Sequence, residues 1–301
     1  MRIFTIIFLL LLLLSKAGHS QEKKQGTKSV TRALKKTERK ARNKYLSSGF
    51  GIVKMSAKDK ATSPLLYSGA TAFGNLQYLV HSHKLIKTFE ISAAGGTLKT
   101  DKESHPVTRS SATGLYFDLR FLYLAKLIDF AKDKVTWYLG GGIDFTNYAR
   151  INYKYGNSAY NYEFMLDAGV ASRIEFPFGH KSKDCKFLGM RLHRRDRRYR
   201  LSWQIYLPVA GMIYRPGYVT VTNFSDPEEK LFNGDNLKGG IFRFFQINST
   251  VELFYILHNG NMLKLSYLWE YHQYNPGYNK VQGALNGIYF SFIFRFNSLK
   301  E

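Results

Sequence analysis

Gly283-Ala284-Leu285-Asn286-Gly287-Ile288-Tyr289-Phe290-Ser291-Phe292-Ile293-Phe294-Arg295-Phe296 is the stretch that decides the fold. Side chains alternate across a strand with a period of two. Ile288, Phe290, Phe292, Phe294 and Phe296 therefore share one face, and Gly287, Tyr289, Ser291, Ile293 and Arg295 share the other. One surface is a continuous apolar and mainly aromatic band; the other is mixed and partly polar. A sandwich in water would use such a band as core. In an exported chain the same band faces lipid, and the strand closes a membrane β-barrel.

Export is read from the first 20 residues. Arg2 supplies the positive start, Ile3 to Leu14 is a run of 12 residues dominated by apolar side chains, and Gly18-His19-Ser20 precedes a cleavage point before Gln21. Twelve residues are too few to cross roughly 30 Å of hydrocarbon as a helix, which favours a cleaved signal over an anchor. No cysteine follows it, against a lipoprotein. The expected organisation is a signal peptide at 1–20, a basic mobile periplasmic segment at 21–45 and an outer-membrane barrel over 46–301. No later stretch approaches 18 consecutive apolar residues. Yet the chain is 16% aromatic, with 23 Phe and 21 Tyr, at a mean hydropathy of only −0.27. Strands that dilute a lipid face with a polar inner face give this combination. The single Cys185 allows no intramolecular disulfide.

Alternation recurs along the chain. Clear segments are Leu85–Ala94, Leu115–Ala125, Val135–Tyr148, Phe164–Phe176, Leu201–Ile213 and Met262–Tyr274; weaker ones are Gly49–Met55, Ser68–Val80 and Phe242–Leu257. With the terminal strand they predict an all-β, closed antiparallel transmembrane barrel of about ten strands, within a range of eight to twelve. Counting back from a periplasmic C-terminus, the connections at 80–84, 129–134 and 258–261 fall on the periplasmic side. Those at 56–67, 99–111, 149–159, 215–240 and 275–282 fall outside. Residues 177–200 break the pattern with a long insert on the periplasmic side.

Charge concentrates in two places. Residues 21–44 carry a net +8 and residues 181–200 a net +7, out of a formal +22. The second includes a basic patch of Arg194, Arg195, Arg197, Arg198 and Arg200. Nucleic acid is a poor partner for an envelope protein. The expected partners are outer-membrane lipid and a periplasmic or envelope protein that meets the basic segments, which otherwise read as solvated tails.

These features together resemble the outer-membrane β-barrel proteins of Gram-negative bacteria, in particular small barrels of the Bacteroidota. The resemblance rests on the signal ending before Gln21, the strand entry Ser63-Pro64-Leu65-Leu66-Tyr67-Ser68-Gly69 and the terminal strand. Tyr289, Phe290, Phe292, Phe294 and Phe296 are similar to the assembly signal of that class, which implies insertion by the barrel-assembly machinery. Asn297–Glu301 follow the last aromatic, whereas an aromatic commonly ends such chains. The resemblance implies an outer-membrane location and a fold, not an activity.

The inner faces collect Glu90, Asp118, Arg120, Asp144, Asp167, Arg173, Glu175, Glu252, Lys264, Glu270, His272 and Arg295. Mixed signs predict a salt-bridged lumen network and a non-enzymatic barrel with a structural, narrow-pore or envelope- or secretion-complex role. The alternative is a barrel-embedded hydrolase of lipid or peptide, with Ser266 as nucleophile, His272 as base and Glu270 orienting it. No cofactor is implied. His81-x-His83 could begin a metal site, but without nearby carboxylates it reads as exposed polar residues, and no metal is expected. Gly140-Gly141-Gly142 lies within a strand and reads as a point of bending or close packing.

Overall fold

The computed structural model describes residues 43–61, 63–100, 110–131, 134–152, 160–180, 183–187, 190–194, 197–216, 236–277 and 280–296. Residues 1–42, with the expected export signal and nearly all of the basic N-terminal segment, lie outside the described residues. Thirteen strands follow in chain order: β1 (Asn43–Asp59), β2 (Ser63–Ser82), β3 (Leu85–Thr100), β4 (Ser111–Phe130), β5 (Val135–Ile151), β6 (Tyr160–His180), β7 (Lys183–Phe187), β8 (Met190–Arg194), β9 (Arg197–Tyr214), β10 (Leu237–Ile241), β11 (Phe245–Ile256), β12 (Met262–Tyr274) and β13 (Val281–Arg295).

Antiparallel pairing runs from β1 through β6, then to β9, β11, β12 and β13, and β13 pairs back with β1. The sheet closes as a ten-stranded barrel, the number read from alternation. The eighth wall strand is β10 and β11 together, broken at 242–244. There β9 advances four residues, Ala210 to Tyr206, while the facing chain advances seven, Ile241 to Asn248. The extra length is absorbed at Phe242, whose φ is 50°, and the kink turns Phe244 into the lumen. β1 begins at Asn43, before the expected barrel start, because Tyr45 already alternates inward and pairs with Leu79 and Arg295.

Both chain ends of the barrel, the turns at 83–84, 131–134 and 257–261, and the β6–β9 connection share one end, called here the turn end. The loop end carries the other five connections. One of these is short: β1 and β2 are joined by residues 60–62 alone, where a longer loop was expected. Within the insert at 177–200, the β6–β9 ladder continues through Phe178↔Tyr199 to His180↔Arg197. Separately, β7 and β8 pair with each other from Lys183↔Arg194 to Phe187↔Met190 in a two-stranded sheet of their own, so the strand count of the wall is unchanged.

The barrel is inside-out by the standard of a protein in water. Phe50, Ile52, Ile288, Phe292 and Phe294 point outward and are 45–68% exposed, while Asp144, Glu163, Lys264, Glu270 and His272 are wholly buried. A contiguous apolar exterior of this kind is what a non-aqueous surrounding stabilises. Inside, one apolar cluster fills the loop-end half, with Met55, Tyr67, Phe73, Leu98, Tyr274 and Leu285 among its members. A second, with Leu79, Ile86, Leu124, Tyr138, Phe254 and Ile293, fills the turn-end half. Glycines make room for some of these side chains. A Cβ on Gly142 would lie 2.3 Å from the Phe121 carbonyl and 2.4 Å from the Leu122 side chain.

Candidate functional site: the charged lumen

Inward-pointing polar side chains stack in three layers along the barrel axis, each joining strands far apart around the wall. In the turn-end layer, Glu252 on β11 accepts from Lys264 Nζ at 2.8 Å, from Arg173 at 2.8 Å and from Ser202 at 3.1 Å. Lys264 also donates to Gln77 on β2 at 3.1 Å, and the amides of Asn75 and Gln77 donate to Glu90 at 2.7 and 3.3 Å. Glu175 receives Arg173 Nε at 2.9 Å, lies 3.0 Å from His81 Nε2 and 3.6 Å from Arg200. Arg200 lies 3.0 Å from His81 and 4.4 Å from the centre of the Phe254 ring, where a cation gains from the aromatic face. Arg200 and His81 stand on wall strands five positions apart in a ring of ten, across the full diameter.

The middle layer has a different charge balance. Asp118, Asp144, Asp167 and Glu270 share one cation, Arg120. Its guanidinium is 3.2 Å from Asp118, 3.0 Å from Asp144 and 3.7 Å from Glu270. Neutral donors supply the rest. Tyr116 and Tyr148 donate to Glu270 at 3.0 and 2.6 Å, Tyr206 to Asp167 at 2.5 Å and Thr146 to Asp118 at 3.2 Å. Gln246 and Asn248 both donate to Asp144 at 3.3 Å. Burying a carboxylate is costly unless it is paired and hydrogen-bonded, and phenols and amides do here what cations do below. Tyr116 on β4 and Glu270 on β12 again stand five wall positions apart.

At the loop end, Arg150 bridges Glu163 and Asp59 at 2.9 Å each, and Arg215 also meets Asp59. Sequence reading missed all four, because each lies beyond the strand limits drawn from alternation. Nor did it single out Tyr116, Tyr148 or Tyr206 as carboxylate donors.

The serine, glutamate and histidine of the hydrolase alternative are not brought together. All three point inward from β12 and are buried. Ser266 and His272 are six residues apart on a straight strand, about 20 Å at roughly 3.3 Å per residue, far outside hydrogen-bond reach. The hydroxyl of Ser266 bonds to neither Glu270 nor His272 and lies beside Tyr289 across the β12–β13 ladder, and Glu270 is held by Tyr116, Tyr148 and Arg120. His272 packs on Tyr148 with ring centres 4.3 Å apart, and its Nε2 lies 3.7 Å from Glu163 rather than on Glu270. Its ring occupies the space a Cβ on Gly283 would need, 2.0 Å away. Each of the three side chains is packed into the interior at its own level, and they do not converge on one point.

Two other expectations need correction. Arg200, counted with the basic patch, is turned into the lumen on Glu175; it shares inward parity with Ser202, which the charge run obscures. Arg197 and Arg198 are exposed, Arg194 belongs to β8, and Arg195 lies outside the described residues. Arg295, counted with the lumen network, is half-buried beside Gly260 and makes no ion pair among the described residues. His81 and His83 diverge. The first points into the lumen, and the second is exposed, 2.5 Å from Lys126. Of the assembly-signal residues, Tyr289 is buried, with Lys264 Nζ 5.5 Å from its ring centre, and Phe290, Phe292, Phe294 and Phe296 line the outer face.

No family model matches the chain, and no curated protein does. Among solved structures it is similar to the outer membrane protease OmpT from Escherichia coli, at a TM-score of 0.46 and 7% identity over 84% of this chain and 97% of that one. It is also similar to Neisserial surface protein A, at 0.31 and 7% over 83% and 97%. A third is Ail of Yersinia pestis in complex with the heparin analogue sucrose octasulfate, at 0.29 and 8% over 83% and 99%. These neighbours are Gram-negative outer-membrane β-barrels of varied function, and the likeness is one of fold.

Proposed function

We propose that this protein is an integral outer-membrane barrel with a closed lumen, non-enzymatic, acting as a rigid envelope element that docks a partner on its periplasmic side. The observation that carries the reading is the diametric bonding of the lumen. Tyr116 to Glu270 and Arg200 to His81 each cross the whole barrel, and apolar clusters fill the space above and below. A solute path would have to break buried ion pairs whose partners could not be rehydrated in place. The outward apolar band supports membrane residence, and the terminal strand supports entry by the barrel-assembly machinery. The basic segments at 21–44 and 181–200 support docking at the end where the barrel's chain termini lie.

The protein should stay in the membrane through a carbonate wash and migrate differently in SDS gels before and after boiling. Deleting residues 21–42, which stops short of β1, should preserve that gel shift and lose a co-purifying envelope protein. Release by carbonate would overturn the membrane reading, and an unchanged set of partners would overturn the docking role of the N-terminal segment.

A further inference from the structure

In the middle layer of the lumen, two carboxylates and two amides each bury an oxygen that no donor reaches. Asp144 is wholly buried, and its two oxygens are served unequally. Oδ2 accepts from Arg120 at 3.0 Å and from the amides of Gln246 and Asn248 at 3.3 Å each. Oδ1 meets no donor among the described residues, and Asp118 lies beside Asp144. Asp167 faces Asp144 directly across the β5–β6 ladder. Its Oδ1 accepts from Tyr206, its Oδ2 meets no donor, and it makes no ion pair with Arg120 among the described residues. Like charges placed directly opposite each other destabilise a ladder.

Gln246 and Asn248 are each 2% exposed, and neither amide oxygen meets a donor among the described residues. Chemistry sets their orientation. A carboxylate only accepts, so each amide turns its nitrogen to Asp144 Oδ2 and its oxygen elsewhere. That oxygen lies about 2.3 Å from its nitrogen, so both stay near Asp144. Asp167 stands on β6, between β5 and β11 around the wall, so the bonds from Asp144 to the amides span the wall positions where Asp167 and Tyr206 stand. The kink after β10 turns Phe244, Gln246 and Asn248 inward together. Gly211 leaves room beside them, since a Cβ there would lie 2.8 Å from Asp167 Cβ and 2.9 Å from the Phe244 ring.

We propose that Asp144 Oδ1, Asp167 Oδ2 and the amide oxygens of Gln246 and Asn248 hold one divalent cation of the calcium class inside the barrel. The donors are all oxygen, which suits a hard cation. Calcium accepts carboxylate and amide oxygens in flexible geometry, whereas magnesium demands a near-ideal octahedron. The amides are essential to the set, because among the described residues no three His, Cys, Asp or Glu side chains are grouped to hold a metal by themselves. Charge selects the valence. Asp118, Asp144, Asp167 and Glu270 are four carboxylates against the one guanidinium of Arg120, an excess of three negative charges when all are ionised. A monovalent ion leaves two of them and a divalent ion one, and uncompensated buried charge is strongly destabilising. Apolar clusters fill the lumen on both sides of the layer, so the cation enters while the barrel folds; that route rests on the closed-lumen reading above.

The test refolds the full chain from urea into phosphatidylcholine liposomes, once with calcium chloride and once with EDTA, then washes both samples with EDTA. Elemental mass spectrometry should find about one calcium per chain in the first sample and none in the second, and the second should unfold at lower urea. Asp167→Asn, which keeps an acceptor for Tyr206, should lose the retained calcium while keeping the heat-dependent gel shift. Asn248→Leu reads the same loss from the amide side, should Asp167→Asn fail to fold. No calcium in the wild-type barrel, with equal urea midpoints in the two samples, would mean that protons neutralise the layer and would overturn the proposal. Equal retention by wild type and both variants would reduce the signal to surface or headgroup binding and overturn it too. Calcium that depends on Asp167 but is stripped from the folded barrel by EDTA would support the site and contradict the closed lumen instead.

Discussion

Two layers of one lumen solve the same problem differently. In the turn-end layer, Glu175 and Glu252 each touch two cations, drawn from Arg173, Arg200 and Lys264. In the middle layer, Asp118, Asp144 and Glu270 depend on Arg120 alone, and tyrosines and amides supply the remaining donors. The first layer is redundant in charge; the second hangs on one residue. Inward parity is the same in both, so the difference lies in who meets whom across the barrel.

That contrast predicts unequal sensitivity. Arg120→Met strips the middle carboxylates of their cation and should cost about 3–5 kcal/mol, as removal of one buried partner does. Lys264→Met leaves Glu252 with Arg173 and should cost about 1–3 kcal/mol. Urea titration of the folded gel band in liposomes reads both, and equal costs would erase the distinction between the layers.

The outer wall gives an independent scale. Ile288→Arg, in the middle of β13, should cost about 2–4 kcal/mol if that face meets hydrocarbon; Phe294→Arg, near the strand's end, should cost only about 0–1. No gradient between the two would contradict a lipid-facing wall. Within the middle layer, Tyr116→Phe and Tyr148→Phe should each lose about 1.5–3 kcal/mol, the worth of a hydrogen bond to a charged group. A double-mutant cycle should show that they share Glu270, through a coupling clearly different from zero. Ser266→Ala comes last, with an expected change within about 0.5 kcal/mol of zero, because its hydroxyl bonds to none of the charged groups of the network. A large destabilisation there would show that Ser266 serves the network after all.

Alternation carried most of the fold. The band from Ile288 to Phe296 set inside and outside, and its recurrence gave ten strands in the order the wall adopts. It could not give strand ends. Asp59, Arg150, Glu163 and Arg215 were left outside the strands because polar residues near the rim weaken the period, so a whole ionic layer went unread. Nor could it give azimuth. That Tyr116 meets Glu270 and Arg200 meets His81 depends on how the sheet closes, which no local pattern encodes. Arg200 could have been found: two residues before Ser202, it shares the inward parity of Ser202, Gln204 and Tyr206. The density of arginines around it drew the reading to net charge instead.

The central claim is that the lumen is closed, and single-channel recording in a planar bilayer tests it most directly. Refolded protein that shows the heat-dependent gel shift should give no stable open level at neutral pH and moderate salt. A steady, wide conductance from the same preparation would mean that the bonds across the diameter do not hold, and the account of a sealed, structural barrel would be wrong.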